Sequence, residues 1–230
     1  MFKCDNCGRC CTDTASQIAL TAGDLVRISE HLKTSISSLF GKYVGFSPFR
    51  GEDPDLYEYE LGLVIPCRFR QKQKCTIYDS RDLNSRLFPF WMLDAPDSLI
   101  DPGFGCLKQL KNLKDKEIYL DYKNKVGKML LRESELTDEV INKLGARKRI
   151  DLKNHEKYQL LLDKYQFHEL EVKKVELAIE LRDDDFFKKF PELIEKEIME
   201  NKELISTIKK NNKELAEIEK TINNGDCKRD

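Results

Sequence analysis

Histidine is scarce in this chain of 230 residues: three copies against eight cysteines, and a single tryptophan. No charge of one sign prevails. Lys and Arg total 40 against 41 Asp and Glu, so no global basic field argues for nucleic acid as a partner. No apolar run approaches the roughly 20 residues that a membrane-spanning helix needs, and no membrane is expected as a partner. Glycine-rich nucleotide loops after a strand, G-x-S-x-G and H-E-x-x-H are all missing. A glycine signature for S-adenosylmethionine is missing too. The first residues carry Cys, Asp, Asn and Arg where a signal peptide needs an apolar stretch. The expected compartment is therefore the cytoplasm.

Cysteine is what the chain does have. Without an export signal, eight cysteines favour metal or redox chemistry over a disulfide framework, and a bridge between the neighbours Cys10 and Cys11 would be strained. Residues 1–11 read M-F-K-C-D-N-C-G-R-C-C, placing Cys4, Cys7, Cys10 and Cys11 in overlapping C-x-x-C turns. Two intervening residues let both sulfurs of such a turn face one concavity, and thiolates are soft donors suited to zinc, Cu(I) and iron–sulfur clusters. The first three match the start of a bacterial ferredoxin run, which then fails at Thr14. Consecutive side chains usually point in different directions. Cys10 and Cys11 are thus expected to serve two nearby sites, or one multinuclear site, rather than one mononuclear ion.

The fold class read from the pattern is α+β, mainly α: a small cysteine-rich domain with a β-hairpin, at 1–125, then a charged helical extension, at 126–230. Residues 1–17 read as a turn-rich loop shaped by Gly8. Thr21 is a candidate N-cap, with Asp24 as capping-box partner and Leu25, Ile28 and Leu32 at helical spacing. A short helix is expected over 35–40, ending near Gly41, and a loop over 45–55, where Gly45, Pro48, Gly51 and Pro54 fall. Residues 56–65 read as a strand leading into Cys67, and 75–78 as its return, so that Cys67 and Cys75 occupy neighbouring strands. Asp79 or Ser80 would cap a helical turn over 81–87, and Phe88, Phe90 and Trp91 would be core. Residues 101–105 read as a turn before Cys106. Thr137 is expected to cap a helix ending at Gly145, and Pro191 to lie in the first turn of the last helix. That helix carries Ile194, Ile198, Ile205, Ile208, Leu215 and Ile222, interrupted by Asn201, Asn212 and Glu219. Its seam is too polar for a long coiled coil, which suggests a helical hairpin or an arm for self-association or a protein partner.

The runs F-K-C-D-N-C-G-R-C-C, I-A-L-T-A-G-D, P-C-R-F-R-Q-K-Q-K-C-T-I-Y-D-S-R and R-L-F-P-F, in this order over about residues 2–106, resemble the CxxCxxCC family. These YkgJ-like, cysteine-cluster proteins are described as zinc- or iron-chelating domains. The resemblance implies a cytoplasmic metal-binding protein using zinc or iron, an iron–sulfur cluster included. Some relatives are associated with flagellin lysine methylation. It places Cys4, Cys7, Cys10, Cys11, Cys67 and Cys75 at ligand positions. Two positions depart from the family pattern: Ser85 stands where a cysteine is usual, and Asp101 stands before Pro102-Gly103 where the family has cysteine. Cys106 could substitute by reach, and Asp101 could supply oxygen.

The remaining candidates read as surface. His31 sits near a helix end, and His155 and His168 lie in the charged half. Asp183, Asp184 and Asp185 read as a solvated loop. Arg68, Arg70, Arg81 and Arg86 surround Cys67 and Cys75 in sequence, as hairpin charges or as partners of thiolates or an anion. Three functions follow: a metal-binding module, a metal-dependent enzyme with an open ligand position at Ser85 and Asp101, or an interaction scaffold using the helical half.

Overall fold

A computed structural model describes residues 8–12, 18–50, 52–72, 74–96, 105–113, 116–146, 149–182 and 184–223. Cys4, Cys7, Asp101, the 101–104 part of the expected turn and Cys227 lie outside them. The fold is mainly α, with two small antiparallel sheets.

One helical turn, α1 (Arg9–Thr12), and a short strand, β1 (Ile18–Ala19), precede α2 (Ala22–Leu32). The start of α2 is as the sequence implied. Thr21 Oγ1 accepts the Asp24 N–H at 3.1 Å and Asp24 Oδ2 accepts the Thr21 N–H at 2.9 Å, a closed capping box. Leu25 and Ile28 are fully buried. The helix expected over 35–40 is instead a single 3-10 turn, Ser37–Leu39, whose first amides, at Ile36 and Ser37, donate to the Glu195 carboxylate.

The loop expected over 45–55 is largely a strand. β2 (Val44–Arg50) pairs along its length with β3 (Leu56–Leu63), Pro48 facing Tyr59. Glycine and proline misled the reading because β2 lies at an edge of the sheet, where a missing N–H can face outward. β1 and β6 (Ile150–Asp151) pair with opposite ends of β3. The hairpin near the cysteines is smaller than expected. β4 (Arg70–Gln71) pairs only with β5 (Lys74–Cys75), so Cys75 is on a strand while Cys67 lies in the turn before it. Asp82, not Asp79 or Ser80, caps α3 (Leu83–Leu87), accepting the Ser85 N–H at 2.7 Å. In the 3-10 turn after it, Phe90 faces inward and stacks on Tyr119 at 5.0 Å. Its neighbour Trp91 is therefore turned out, 55% exposed.

α4 (Gly105–Lys111) and α5 (Lys116–Lys143) follow, then α6 (Glu156–Lys164), α7 (Phe167–Glu180), α8 (Asp184–Glu200) and α9 (Lys202–Asn223). Thr137 does not start a helix; it is buried inside α5. Its hydroxyl donates back to the Glu133 carbonyl at 2.6 Å and accepts the Ala22 N–H at 2.8 Å, so the group that would cap an end is occupied within the helix. Gly145 does end the segment, at φ +69. Asp184 and Asp185 open α8 rather than lying in a loop, and Pro191 sits inside it. An interior proline costs about 3 kcal/mol, and the complete burial of Phe190, Ile194 and Ile198 on the same helix outweighs this. The break falls at Asn201, whose Oδ1 accepts the Leu204 N–H at 3.0 Å and starts α9.

The largest apolar cluster joins α2, β3 and the hairpin residues Phe69 and Ile77 to Leu136 and Val140 of α5, Phe190, Ile194 and Ile198 of α8, and Ile208 of α9. Below the α2 start lies a buried ionic group. Arg27 donates to Asp24 at 2.6 Å and to both Glu133 oxygens at 3.0 and 2.7 Å. Glu133 also accepts from Asn211 at 2.9 Å, and Arg27 Nη1 from the other side donates to Asn212 at 3.0 Å. Burial pushes the Glu133 carboxyl up, but the Arg27 bonds and charge bring it below its ordinary value. Gly23 is required by this packing: a Cβ there would fall 2.0 Å from Glu133 Oε2.

Removing one partner of such a pair leaves an uncompensated buried charge. Glu133→Ala is expected to lower unfolding free energy by about 3–5 kcal/mol, and Gly23→Ala by about 1–3 kcal/mol. Urea midpoints of the two variants check this; unchanged midpoints would remove the network from the fold's support.

Candidate metal centre

Gly8, at φ +73, turns the chain into α1, and the Cys11 N–H donates to its carbonyl at 2.9 Å. That conformation favours a residue without Cβ. The Arg70 side chain lies against it, since a Cβ on Gly8 would meet Arg70 Nε at 2.1 Å. Cys10 and Cys11 are half-buried on this turn, with their Sγ atoms 3.8 Å apart.

The second set of cysteines is tied to the first through the backbone. The Cys67 N–H donates to the Cys11 carbonyl at 2.8 Å, and the Arg70 N–H to the Cys67 carbonyl at 3.2 Å. Arg70 then pairs with Cys75 across the hairpin. Phe69, stacked on Tyr43 at 4.3 Å, and Ile77 anchor the hairpin in the main apolar cluster. Cys67 and Cys75 share a local geometry: each sulfur accepts an N–H from two residues on, Phe69 and Ile77. Such bonds support a thiolate.

The electrostatics place Cys11, Cys67 and Cys75 within one another's field. The Cys10 hydrogen bond lowers the Cys11 thiol against the opposing effect of burial, aided by the charges of Arg70 and Arg81, to about 7. Burial pushes Cys67 up to about 11, with Cys11 and Cys75 adding to the rise, and burial likewise raises Cys75. Burial, then the neighbouring Asp24 carboxylate, raises Asp82 to about 6. Among the four arginines, Arg70 and Arg81 act on the sulfurs. Arg68 is exposed, and Arg86 is buried in an ion pair with Glu219.

The expected residues separate into those brought together and those not. Cys10 and Cys11 on α1 are linked through the backbone to Cys67, which leads into the hairpin that carries Cys75. Cys106 is buried with Leu107, Leu110 and Phe90 in a second apolar cluster, whereas Cys67 and Cys75 pack on the first. Ser85 is held by Asp82, through its N–H and its hydroxyl. His31 Nε2 lies 3.3 Å from the Thr76 carbonyl, and the His155 ring caps α6. Among the described residues, no three Cys, His, Asp or Glu side chains converge closely enough to hold an ion as they stand. The donor chemistry nonetheless fits a soft or borderline metal: the candidate ligands are thiols, and that of Cys11 is set toward its deprotonated form by Cys10, Arg70 and Arg81.

Sequence reasoning missed Asp82 and the buried group of Asp24, Arg27 and Glu133. Asp24 and Arg27, three residues apart on one helix face, were legible as a pair. Glu133 was not, since it arrives from 106 residues further along the chain.

In metal-free protein near pH 7.5, Cys11 is expected to be alkylated by iodoacetamide before Cys67 and Cys75, because it alone is largely thiolate there; peptide mass spectrometry gives the order. For Asp82, a folded-state value above the unfolded 3.8 means stability that is intact below about pH 4 and lost as pH rises through about 6. Asn caps a helix as well as Asp does. Asp82→Asn should therefore stabilise the metal-free protein above pH 6, by up to about 3 kcal/mol, with the gain vanishing near pH 4. A constant gain across that range in urea titrations would contradict this.

A family model described as "CxxCxxCC: Putative zinc- or iron-chelating domain" matches residues 3–120, half of the chain. No solved structure matches the chain. No helix among the described residues is long and apolar enough to cross a membrane. The chain belongs to the CxxCxxCC family.

Proposed function

From membership of the CxxCxxCC family, we propose that this chain holds zinc or iron, an iron–sulfur cluster included, in a thiolate centre that fastens the N-terminal cysteine run to the β4–β5 hairpin. Cys10, Cys11, Cys67 and Cys75 supply sulfur from the described part of the centre, and Cys4 and Cys7 extend the donor set. Cys106 stays in its apolar cluster as a packing residue, and Ser85 serves Asp82. The observation that carries the reading is the 2.8 Å bond from the Cys67 N–H to the Cys11 carbonyl, which brings two cysteine groups 56 positions apart in sequence to one place.

Residues 1–125 carry the centre and residues 126–230 brace it, through Glu133, Glu195 and Glu219. A bound metal supplies folding free energy, of roughly 10–16 kcal/mol for structural zinc sites, to a stretch whose polar residues provide little of their own. Thiolate ligands persist in a reducing compartment, which fits the cytoplasm.

The protein purified anaerobically is expected to contain stoichiometric zinc, or iron with sulfide and visible absorption. Removal of that metal by a strong chelator should lower the thermal midpoint. Metal-free protein with an unchanged midpoint would overturn the reading.

A further inference from the structure

Successive residues on a helical turn diverge by about 100°, which would carry neighbouring sulfurs apart. In α1 they converge instead, Cys10 Sγ and Cys11 Sγ standing 3.8 Å from each other. A tetrahedral ion with metal–sulfur bonds of about 2.3 Å spaces any two of its thiolates by about 3.8 Å, the edge of the tetrahedron. The turn therefore presents two sulfurs at the separation that one ion requires.

The surroundings keep that spacing. The Cys11 amide is held by the Gly8 carbonyl and the Cys11 carbonyl by the Cys67 amide, so the backbone of the turn is fixed on both sides. The charges of Arg70 and Arg81 act on Cys11 and offset part of the repulsion between two adjacent thiolates. Cys67 and Cys75 lie within the field of Cys11.

Resting on the metal-binding reading above, the geometry points to Cys10 and Cys11 as a vicinal chelate: both thiolates bind the same metal ion. Of the expectations for these neighbours, this replaces the one of two separate sites and is compatible with a multinuclear site of the [2Fe–2S] kind. It also constrains the kind of centre. An iron in a four-cysteine [2Fe–2S] unit takes two protein thiolates and a mononuclear zinc or iron site takes up to four, whereas each iron of a four-cysteine [4Fe–4S] cubane takes one. The chelate fits the first two and not the third.

The test uses the full wild-type chain, freed of its native metal and loaded anaerobically with isotopically enriched cadmium(II), a spin-active thiophilic ion. Proton–cadmium correlation spectra read which cysteine β-protons share a cadmium resonance. The expected result is one cadmium resonance correlated with the β-protons of both Cys10 and Cys11. Correlation of the two residues with different resonances only, or of one of them with none, overturns the chelate while leaving metal binding intact. Absence of any thiolate-bound cadmium overturns the metal reading and the chelate with it. No variant is needed, so misfolding of a cysteine substitution does not enter.

Discussion

The frame on which the cysteines sit depends on one buried ion group, in which Arg27 lies between the carboxylates of Asp24 and Glu133. All three are essentially inaccessible, so the charge of each is balanced by the others and by hydrogen bonds from the protein, among them those of Thr21, Asn211 and Asn212. Charges taken out of water this completely are tolerated when they are paired and hydrogen-bonded. Here both Arg27 terminal nitrogens donate to carboxylates, while Nε is left without a partner among the described residues. The group therefore fixes how α2, α5 and α9 meet. Asp24 then carries the constraint toward the cysteines: the oxygen that binds Arg27 also accepts the Leu83 N–H at 3.0 Å. That places α3 and its cap Asp82 beside the sulfurs.

This frame explains why a charged helical half follows a cysteine-rich one. Glu133, Glu195 and Glu219 each reach from α5, α8 and α9 to a group before residue 90: Arg27, the amides of Ile36 and Ser37, and Arg86. The polar positions that made the last helix look unsuited to a coiled coil have the same origin. Asn212 and Glu219 bind Arg27 and Arg86, and Asn201 caps α9. A rigid support of this kind suits the proposed centre, because α1 and the β4–β5 hairpin are too short to have an apolar core of their own.

Local chemistry was legible in the sequence, and long-range chemistry was not. The Thr21–Asp24 box, the Gly145 stop and the β3 strand depend on residues next to one another and were read correctly. Glycine and proline over 45–55 concealed β2 because edge position, which excuses a proline, is a property of the sheet. Thr137 and Pro191 were assigned to helix ends from local preference, and the packing of Thr137 on α2 and of Phe187 and Phe190 on Phe46 of β2 overrode it. For the candidate site, the cysteines and their grouping came from spacing and from resemblance. The convergence of Cys10 with Cys11 could not, because side-chain direction on a single turn depends on what holds the turn at both ends.

The central claim is that metal, and not the apolar core, locks α1 onto the hairpin. Amide hydrogen exchange at Cys67 reads this directly, since that N–H is the bond between the two cysteine groups. The account predicts strong protection in the metal-loaded protein and its loss when a chelator is added, while the amides of Asp24 and Leu25 at the start of α2 stay protected. Equal protection of Cys67 with and without metal would contradict it.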